Sequence, residues 1–199
     1  VIAVDLYGQI APIERLAQVA ATHGAVLIED AAQSQGALRH GRGIGHGVAL
    51  AATSFYPGKN LGAFGDGGAV VTTSAVIAER VRVLAAHGSR VRYHHVVVGM
   101  NSRLDTMQAA VLRIKLDHLA RWNHQRRVAA KIYDDLMVEA AGIHPPEALP
   151  GNDHVWHLYP VRVDPGLDRD SIATELQHRG IRVAIHYPVP VHTTSAFSC

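Results

Sequence analysis

The chain has 199 residues, of which 48% are hydrophobic and 18% are charged, a balance that supports a sizeable core and excludes intrinsic disorder. The formal net charge is +2 and the Lys and Arg residues form no basic block, so neither a nucleic acid nor a membrane surface is indicated as a partner. No uncharged apolar run reaches the ~20 residues of a membrane span. The single cysteine, Cys199, allows no internal disulfide. These features predict a soluble, cytoplasmic globular protein.

Neither end of the sequence resembles the terminus of a complete protein. Val1 is not an initiator methionine, and neither a basic nor a small-residue targeting signal follows it. The last residues, from Thr193, match no helix or strand pattern. We therefore expect the chain to be a piece of a longer protein.

The first hundred residues alternate short apolar runs with helical patterns. Strands are expected over 1–6, 25–30, 48–56 and 68–73, and helices over 12–23 and 74–87. Pro12 suits a first helical turn, Ser74 is a helix cap and Gly88 an exit. Strands separated by helical segments predict an α/β fold whose parallel or mixed sheet has helices on both faces.

The pattern changes at Arg103 to a long helix that extends to about residue 139. The segment 142–153, which is rich in Pro and Gly, is typical of a linker. A strand over 155–163, a helix over 171–179 and a strand over 181–186 predict the beginning of a smaller α/β domain. The expected organisation is part of a large domain (1–102), a connecting helix (103–141) and a truncated small domain (142–199).

Two charged residues follow neighbouring strands of the predicted sheet. Asp30 ends the second strand, and Lys59 lies in the segment 54–60 that follows the third. Ligands of open parallel sheets bind at the carboxyl ends of the strands, so these side chains mark a candidate site. The alternative is a structural ion pair, since buried charges are usually paired.

Nucleotide and metal motifs are weak in this sequence. A Walker A loop would require Gly at Thr53 and Ser or Thr at Asn60, and the glycines over 41–47 lack the G-x-G-x-x-G spacing. The 14 histidines include no H-E-x-x-H motif, and the side chains of His94 and His95 would diverge in a strand. We therefore expect no metal site.

Several longer motifs follow one another in order along nearly the whole chain. They are IEDAAQ (28–33), SFYPGKNLG (54–62), GDGG (65–68), HGS (87–89), GMNSRLD (99–105), QAA (108–110), WN (122–123) and HYPVPVH (186–192). Together they resemble the signature of the DegT/DnrJ/EryC1/StrS aminotransferases. The resemblance implies a pyridoxal 5′-phosphate enzyme of fold type I that aminates nucleotide-linked keto sugars.

The resemblance implies catalytic roles for Lys59 and Asp30. Lys59 matches the lysine that forms the Schiff base with the cofactor and then moves a proton between the substrate carbon and C4′. Asp30 matches the aspartate that keeps the pyridine nitrogen protonated. The protonated ring withdraws electrons from a carbanion, while the protein supplies orientation and electrostatic tuning.

The same resemblance implies four further cofactor contacts. Ala32 would lie flat under the ring, Gln33 would hydrogen-bond the 3′ oxygen, and the Ser54 hydroxyl would donate to the phosphate. Asn101 matches a residue that reaches the phosphate of the neighbouring subunit's cofactor, which implies a homodimer with shared active sites. Taken alone, Ser54 is also explained as a satisfied strand-end hydroxyl, and Asn101 as a helix cap for the residues from Arg103 onward.

Three residues near the end of the chain are candidate substrate contacts. His186, Tyr187 and His192 would line the substrate pocket, although a Tyr-Pro turn explains two of them equally well. The sequence does not identify the sugar, its keto position or its nucleotide carrier. The HGS (87–89) and NSRLDT (101–106) motifs most resemble those of family members that act on the 3-keto group of a hexose.

The sequence departs from the family pattern in two respects. Asp5 stands where the family often has His, which leaves the role of that position open. The upstream part of the family, which carries a phosphate-binding turn and an aromatic residue stacked on the ring, does not precede Val1. We therefore expect these 199 residues alone to bind pyridoxal phosphate poorly and to be inactive.

Transamination with glutamate or glutamine as amino donor is the leading interpretation of the longer protein. A sugar dehydratase of the same family is the second, but those relatives carry His in place of the lysine, so Lys59 argues against it. A regulatory or sensory protein that keeps the fold and the cofactor without turnover is the third. Incubation with glutamate separates an enzyme from a sensor.

Overall fold

The computed structural model describes residues 1–197. The chain divides into two compact units, the first formed by residues 1–133 and 147–159 and the second by residues 134–146 and the chain from Pro160 onward. The division expected from the sequence, at residues 102 and 141, remains a prediction.

In chain order the elements are β1 (Ile2–Val4), α1 (Ile13–Thr22), β2 (Ile28–Asp30), β3 (Leu38–Arg39), β4 (Leu50–Ser54), β5 (Gly68–Val71), α2 (Ala75–Ala85), β6 (Ser89–Val91), β7 (His94–His95), α3 (Thr106–Met137), β8 (Ile143–His144), β9 (Asn152–Asp153), β10 (Arg162–Val163) and α4 (Arg169–His178). Short 3₁₀ turns cover Leu6–Gly8, Val191–Thr193 and Ser195–Phe197. No helix within residues 1–197 combines the length and apolar character needed to cross a membrane.

A four-stranded sheet in the order β1-β2-β4-β5 organises the first unit. β1, β2 and β4 are parallel, with Val4 opposite Asp30 and Asp30 opposite Ala52. β5 instead runs antiparallel to β4. The connection over 55–67 contains no helix, and a parallel partner would require a long crossover. The sheet is therefore mixed, and the expected α/β class is confirmed.

Local sequence explains where α1 and α2 begin and end. Pro12 precedes α1, which buries Ile13 and Ala20 in a core that also contains Leu27 and Val155. The Ser74 hydroxyl accepts a hydrogen bond from the Ile77 amide (3.3 Å) at the start of α2. Gly88, with φ +72°, follows that helix in the left-handed conformation that favours glycine. The predicted cap and exit are confirmed.

The long helix α3 begins at Thr106 because Asp105 supplies its cap. The Asp105 carboxylate accepts a hydrogen bond from the Met107 amide (2.8 Å), and its carbonyl accepts one from the Ala109 amide (2.9 Å). α3 buries Leu112 and Leu119 in a second apolar cluster that also contains Leu61 and Ala63.

The second unit has less regular structure than the sequence predicts. β8 and β10 form a two-stranded antiparallel sheet, and Asp168 caps α4 by accepting from the Asp170 and Ser171 amides. Of the strand predicted over 155–163, only β10 is formed, and residues 155–159 belong to the first unit. The strand expected over 181–186 is not formed, since that segment has no hydrogen-bonded neighbouring strand among the described residues.

Candidate active site

Asp30 is the last residue of β2, and its backbone is fixed by the strands beside it. Its carbonyl accepts a hydrogen bond from the Asp5 amide (3.0 Å), and its carboxylate Oδ1 accepts one from the Ala32 amide (3.1 Å). Within residues 1–197 the second carboxylate oxygen, Oδ2, makes no hydrogen bond. The half-buried carboxylate therefore has one oxygen held by the following turn and one available to a ligand.

Ser54 ends β4, the strand next to β2, and a tight turn then carries Lys59. The Ser54 hydroxyl accepts from the Tyr56 amide (3.2 Å), and the Lys59 amide donates to the Tyr56 carbonyl (2.9 Å). The Phe55 amide donates to the Gly67 carbonyl (2.7 Å), which anchors the start of the turn. The turn therefore holds the Lys59 backbone beyond the carboxyl end of its strand.

Asp30 is the last residue of β2, and Lys59 lies in the turn that follows Ser54, the last residue of the adjacent parallel strand β4. Adjacent strands lie ~4.8 Å apart, so the two residues leave the same edge of the sheet. The half-buried Lys59 side chain forms neither an ion pair nor a hydrogen bond with any residue of the described chain. Asp30 likewise forms no ion pair within residues 1–197. The structural ion pair considered as an alternative is therefore not formed.

The turn after Asp30 carries the two other residues predicted at this edge. Ala32 is half-buried and its side chain is a single methyl group. Gln33 is 9% exposed, and its Oε1 accepts a hydrogen bond from the Tyr7 amide (2.6 Å). A hydrogen bond from Gln33 to a 3′ oxygen would therefore use Nε2, the donor end of the same amide.

Asn101 is exposed and belongs to none of the four strands of the sheet. Its Oδ1 accepts a hydrogen bond from Arg103 Nε (3.1 Å), and its backbone forms an isolated bridge with Ala86. Within the described chain it makes no hydrogen bond with Asp30 or Lys59. The alternative that Asn101 caps the long helix is wrong, because Asp105 performs that role.

His186, Tyr187 and His192 all lie exposed in the second unit. The rings of His186 and Tyr187 meet edge-on, with centroids 5.5 Å apart. His192 lies in the 3₁₀ turn Val191–Thr193. Their role as substrate contacts stays a prediction.

The motifs did not single out three buried amide side chains that lie against the sheet edge: Gln35, Asn60 and Asn123. Gln35 Nε2 donates to the Ser54 carbonyl (2.7 Å), and Asn60 Nδ2 donates to Asn123 Oδ1 (2.9 Å). Asn60 and Asn123 belong to quoted motifs, but their contact joins residues 63 positions apart. The position of Asn60, directly after the predicted lysine, is the one sequence signal that could have indicated a supporting role.

Asp5 and Glu29 form a buried carboxyl pair that the sequence analysis also missed. They are 0% and 1% exposed, and their carboxyl groups hydrogen-bond each other. Burial raises the pKa of both groups, that of Glu29 to about 7. Asp5 also accepts from the Ser34 hydroxyl (2.7 Å) and the Ala11 amide (2.9 Å). The Asp5 carboxyl therefore links the segment after β1 to Ser34 and Ala11 through buried hydrogen bonds.

The sheet edge fits pyridoxal phosphate in the chemistry of its donor set. Asp30 offers an acceptor oxygen for a protonated ring nitrogen, Lys59 a primary amine for a carbonyl carbon, and Ser54 a hydroxyl proton for a phosphate oxygen. Within residues 1–197 His, Cys, Asp and Glu side chains form no group of three that could hold a metal ion.

Comparison with known proteins identifies the family. The model of the DegT/DnrJ/EryC1/StrS aminotransferase family matches residues 1–199. The chain belongs to this family. Its members are pyridoxal-phosphate-dependent aminotransferases of fold type I, so the expected family, fold and cofactor class are confirmed.

Two relatives and one solved structure illustrate the relationship. The dTDP-3-amino-3,4,6-trideoxy-alpha-D-glucose transaminase of Streptomyces venezuelae is 50% identical over 98% of this chain and 51% of its own length. The erythromycin biosynthesis sensory transduction protein EryC1 of Saccharopolyspora erythraea is 46% identical over 100% of this chain and 53% of its own. The crystal structure of S. venezuelae DesV in complex with a ketimine intermediate superposes with a TM-score of 0.94 at 50% identity, over 98% of this chain and 52% of DesV. The chain thus spans about half the length of these relatives.

Proposed function

We propose that the complete protein is a pyridoxal-phosphate-dependent aminotransferase that aminates a nucleotide-linked keto sugar in amino sugar biosynthesis. The observation that carries this proposal is the placement of Asp30 at the end of β2 and of Lys59 in the turn after the adjacent parallel strand β4, with no ion pair between them. Both charged groups are therefore available to one heterocycle at the sheet edge.

Each residue of the edge has a separate task in this proposal. Asp30 would accept a hydrogen bond from the protonated ring nitrogen and so keep it protonated, and the Ser54 hydroxyl would donate a hydrogen bond to the phosphate. Lys59 Nζ would hold the cofactor covalently between turnovers. As a free amine, after the amino donor has displaced it, it would take a proton from one carbon atom and deliver it to the other. When bound, the cofactor supplies the electron sink that a transamination requires. Gln33 Nε2 and Ala32 orient the ring from the turn after β2.

The names of the relatives support a nucleotide-linked sugar as the amino acceptor. The S. venezuelae relative is named for a dTDP-linked 3-amino sugar, so we propose a nucleotide-linked 3-keto hexose for this protein. Glutamate or glutamine is the proposed amino donor. The exposed Asn101 is available to a second copy of the chain, which supports a homodimer with shared active sites.

The test uses the complete protein reconstituted with pyridoxal phosphate and incubated with glutamate. We expect the visible absorbance of the bound cofactor to disappear and then to return when a nucleotide-linked keto sugar is added. The Asp30→Asn variant, which removes the charge facing the ring nitrogen, should lower kcat at least about a hundredfold. The Asp117→Asn variant, on the exposed face of α3, serves as the control. Turnover of Asp30→Asn at the unaltered rate would contradict the assignment.

A regulatory protein is the second candidate because the EryC1 relative is named as a sensory transduction protein. A protein of this kind would keep the cofactor but not react with an amino donor. An unchanged absorbance spectrum after incubation with glutamate and glutamine would therefore favour the regulatory candidate over the aminotransferase.

A further inference from the structure

A buried amide side chain follows Lys59 directly in the sequence. Asn60 is 6% exposed, and its Nδ2 donates to Asn123 Oδ1 (2.9 Å) and to the Val155 carbonyl (2.9 Å). Its Oδ1 lies 3.2 Å from His157 Nδ1. Both ends of this amide are therefore engaged, and the backbone that carries Lys59 is tied to α3 and to the segment 155–157.

Asn123, on α3, continues the chain of amides towards the second strand end. It is 3% exposed, and its Nδ2 donates to the Gln35 carbonyl (2.9 Å). The approach of the helix is close at this point, because a Cβ on Gly36 would lie 2.7 Å from Asn123 Nδ2. Gly36 also has φ +85°, so a glycine suits the position on both counts.

Gln35 completes the hydrogen-bonded set of Asn60, Asn123 and Gln35, here called the amide circuit, which connects the two strand ends. Its Nε2 lies within hydrogen-bond distance of the Ala32 carbonyl (3.0 Å), Thr53 Oγ1 (3.0 Å) and the Ser54 carbonyl (2.7 Å), which share its two N–H groups. The opposite orientation of this amide would place its oxygen against three oxygen atoms. Gln35 thus joins the turn after Asp30 to the last residue of β4.

We propose that Asn60, Asn123 and Gln35 are positioning residues that hold the Lys59 turn in register with the Asp30 turn. This inference rests on the proposed aminotransferase function. Lys59 Nζ would have to reach the aldehyde carbon attached to the ring whose nitrogen Asp30 would hold, and a misplacement of about 1 Å is enough to slow such a reaction severely. The amide circuit is buried, so water cannot substitute for its hydrogen bonds.

The test compares Asn60→Ala, Asn123→Ala and the double variant in the complete protein reconstituted with pyridoxal phosphate. Gln125→Ala, an exposed amide on the same helix, is the matched control. We expect each single variant to lower kcat, per bound cofactor, about tenfold while KM for the keto sugar changes less than about twofold. The double variant should be about as slow as either single variant, because residues of one network are not additive.

Two readouts separate positioning from support of the fold. The pH midpoint of the visible absorbance change should shift in both single variants, since it reports the surroundings of Lys59 Nζ. In the cofactor-free protein, competitive acylation of Lys59 followed by peptide mass analysis should change rate by at least about twofold, whereas Gln125→Ala should match the unaltered protein.

The outcomes decide between the two claims. A lower melting temperature with unchanged kcat, unchanged absorbance midpoint and unchanged Lys59 acylation would overturn the positioning role and leave the aminotransferase proposal standing. Failure of the unaltered protein to take up pyridoxal phosphate on Lys59 would instead overturn the proposed function, and the positioning role with it.

Discussion

Replacement of Glu29 by Gln provides a sharp test of the buried carboxyl pair. The Glu29 carboxyl accepts a hydrogen bond from the Gly45 amide (2.6 Å) through Oε2 and hydrogen-bonds Asp5. Burial raises the pKa of Glu29 from 4.5 to about 7, because the charged form loses its hydration. In the Glu29→Gln variant, the amide oxygen can accept from Gly45 and the amide nitrogen can donate to Asp5 at every pH.

The sign of the pH effect follows from the raised pKa. Between the ordinary value of 4.5 and about 7, the folded chain binds more protons at Glu29 than the unfolded chain does. The free energy of unfolding therefore decreases as the pH rises through this window. At about 1.4 kcal/mol for each pKa unit, Glu29 accounts for a loss of about 3 kcal/mol. The variant lacks this loss, so it should gain stability relative to the unaltered protein as the pH rises.

The assay is urea unfolding of the cofactor-free complete protein, followed by tryptophan fluorescence, at about pH 5 and about pH 8. The difference in unfolding free energy between Glu29→Gln and the unaltered protein should increase by about 2–3 kcal/mol over this range, because pH 5 already lies within the window. Arg39, His40, Arg42 and His46, which line the cavity beside Glu29, are the same in both proteins. Glu139→Gln, at an exposed position, is the control. A difference that does not vary with pH would refute the raised pKa.

Two further predictions concern the fold. Gly8→Ala should lower the free energy of unfolding by at least about 3 kcal/mol, because φ is +114° and a Cβ would lie 2.7 Å from the His157 backbone nitrogen. The control is Gly24→Ala, where φ is also positive but a Cβ would meet open space. It should lower the free energy of unfolding by only about 1 kcal/mol. Thermal unfolding measures both, and equal losses would contradict the predicted clash. Ser74→Ala should cost about 1 kcal/mol through loss of the cap on α2, and an unchanged melting temperature would count against that cap.

Local patterns in the sequence account for much of the fold. Pro12, Ser74 and Gly88 mark helix ends correctly because capping depends on residues a few positions apart. The antiparallel direction of β5 was not predicted, since strand direction depends on how the chain returns through the segment 55–67. The strand expected over 181–186 failed because an apolar run needs a partner strand, which local pattern does not supply.

The candidate site shows the same limit. Asp30 and Lys59 were predicted from the ends of two strands and from a family resemblance. The structure has Asp30 at the end of β2 and Lys59 in the turn after the parallel neighbour β4. The contact between Asn60 and Asn123 joins residues that are far apart in the sequence, so no local sequence pattern predicts it. The pairing of Asp5 with Glu29 likewise depends on the register of β1 and β2.

Borohydride reduction of the complete protein, reconstituted with pyridoxal phosphate, tests the central claim most directly. Reduction fixes the cofactor to the amine that holds it, and peptide mass analysis then locates that amine. We expect one cofactor per chain fixed on Lys59, and none at this position in the Lys59→Ala variant. Fixation on another lysine, such as Lys115 or Lys131, would contradict it.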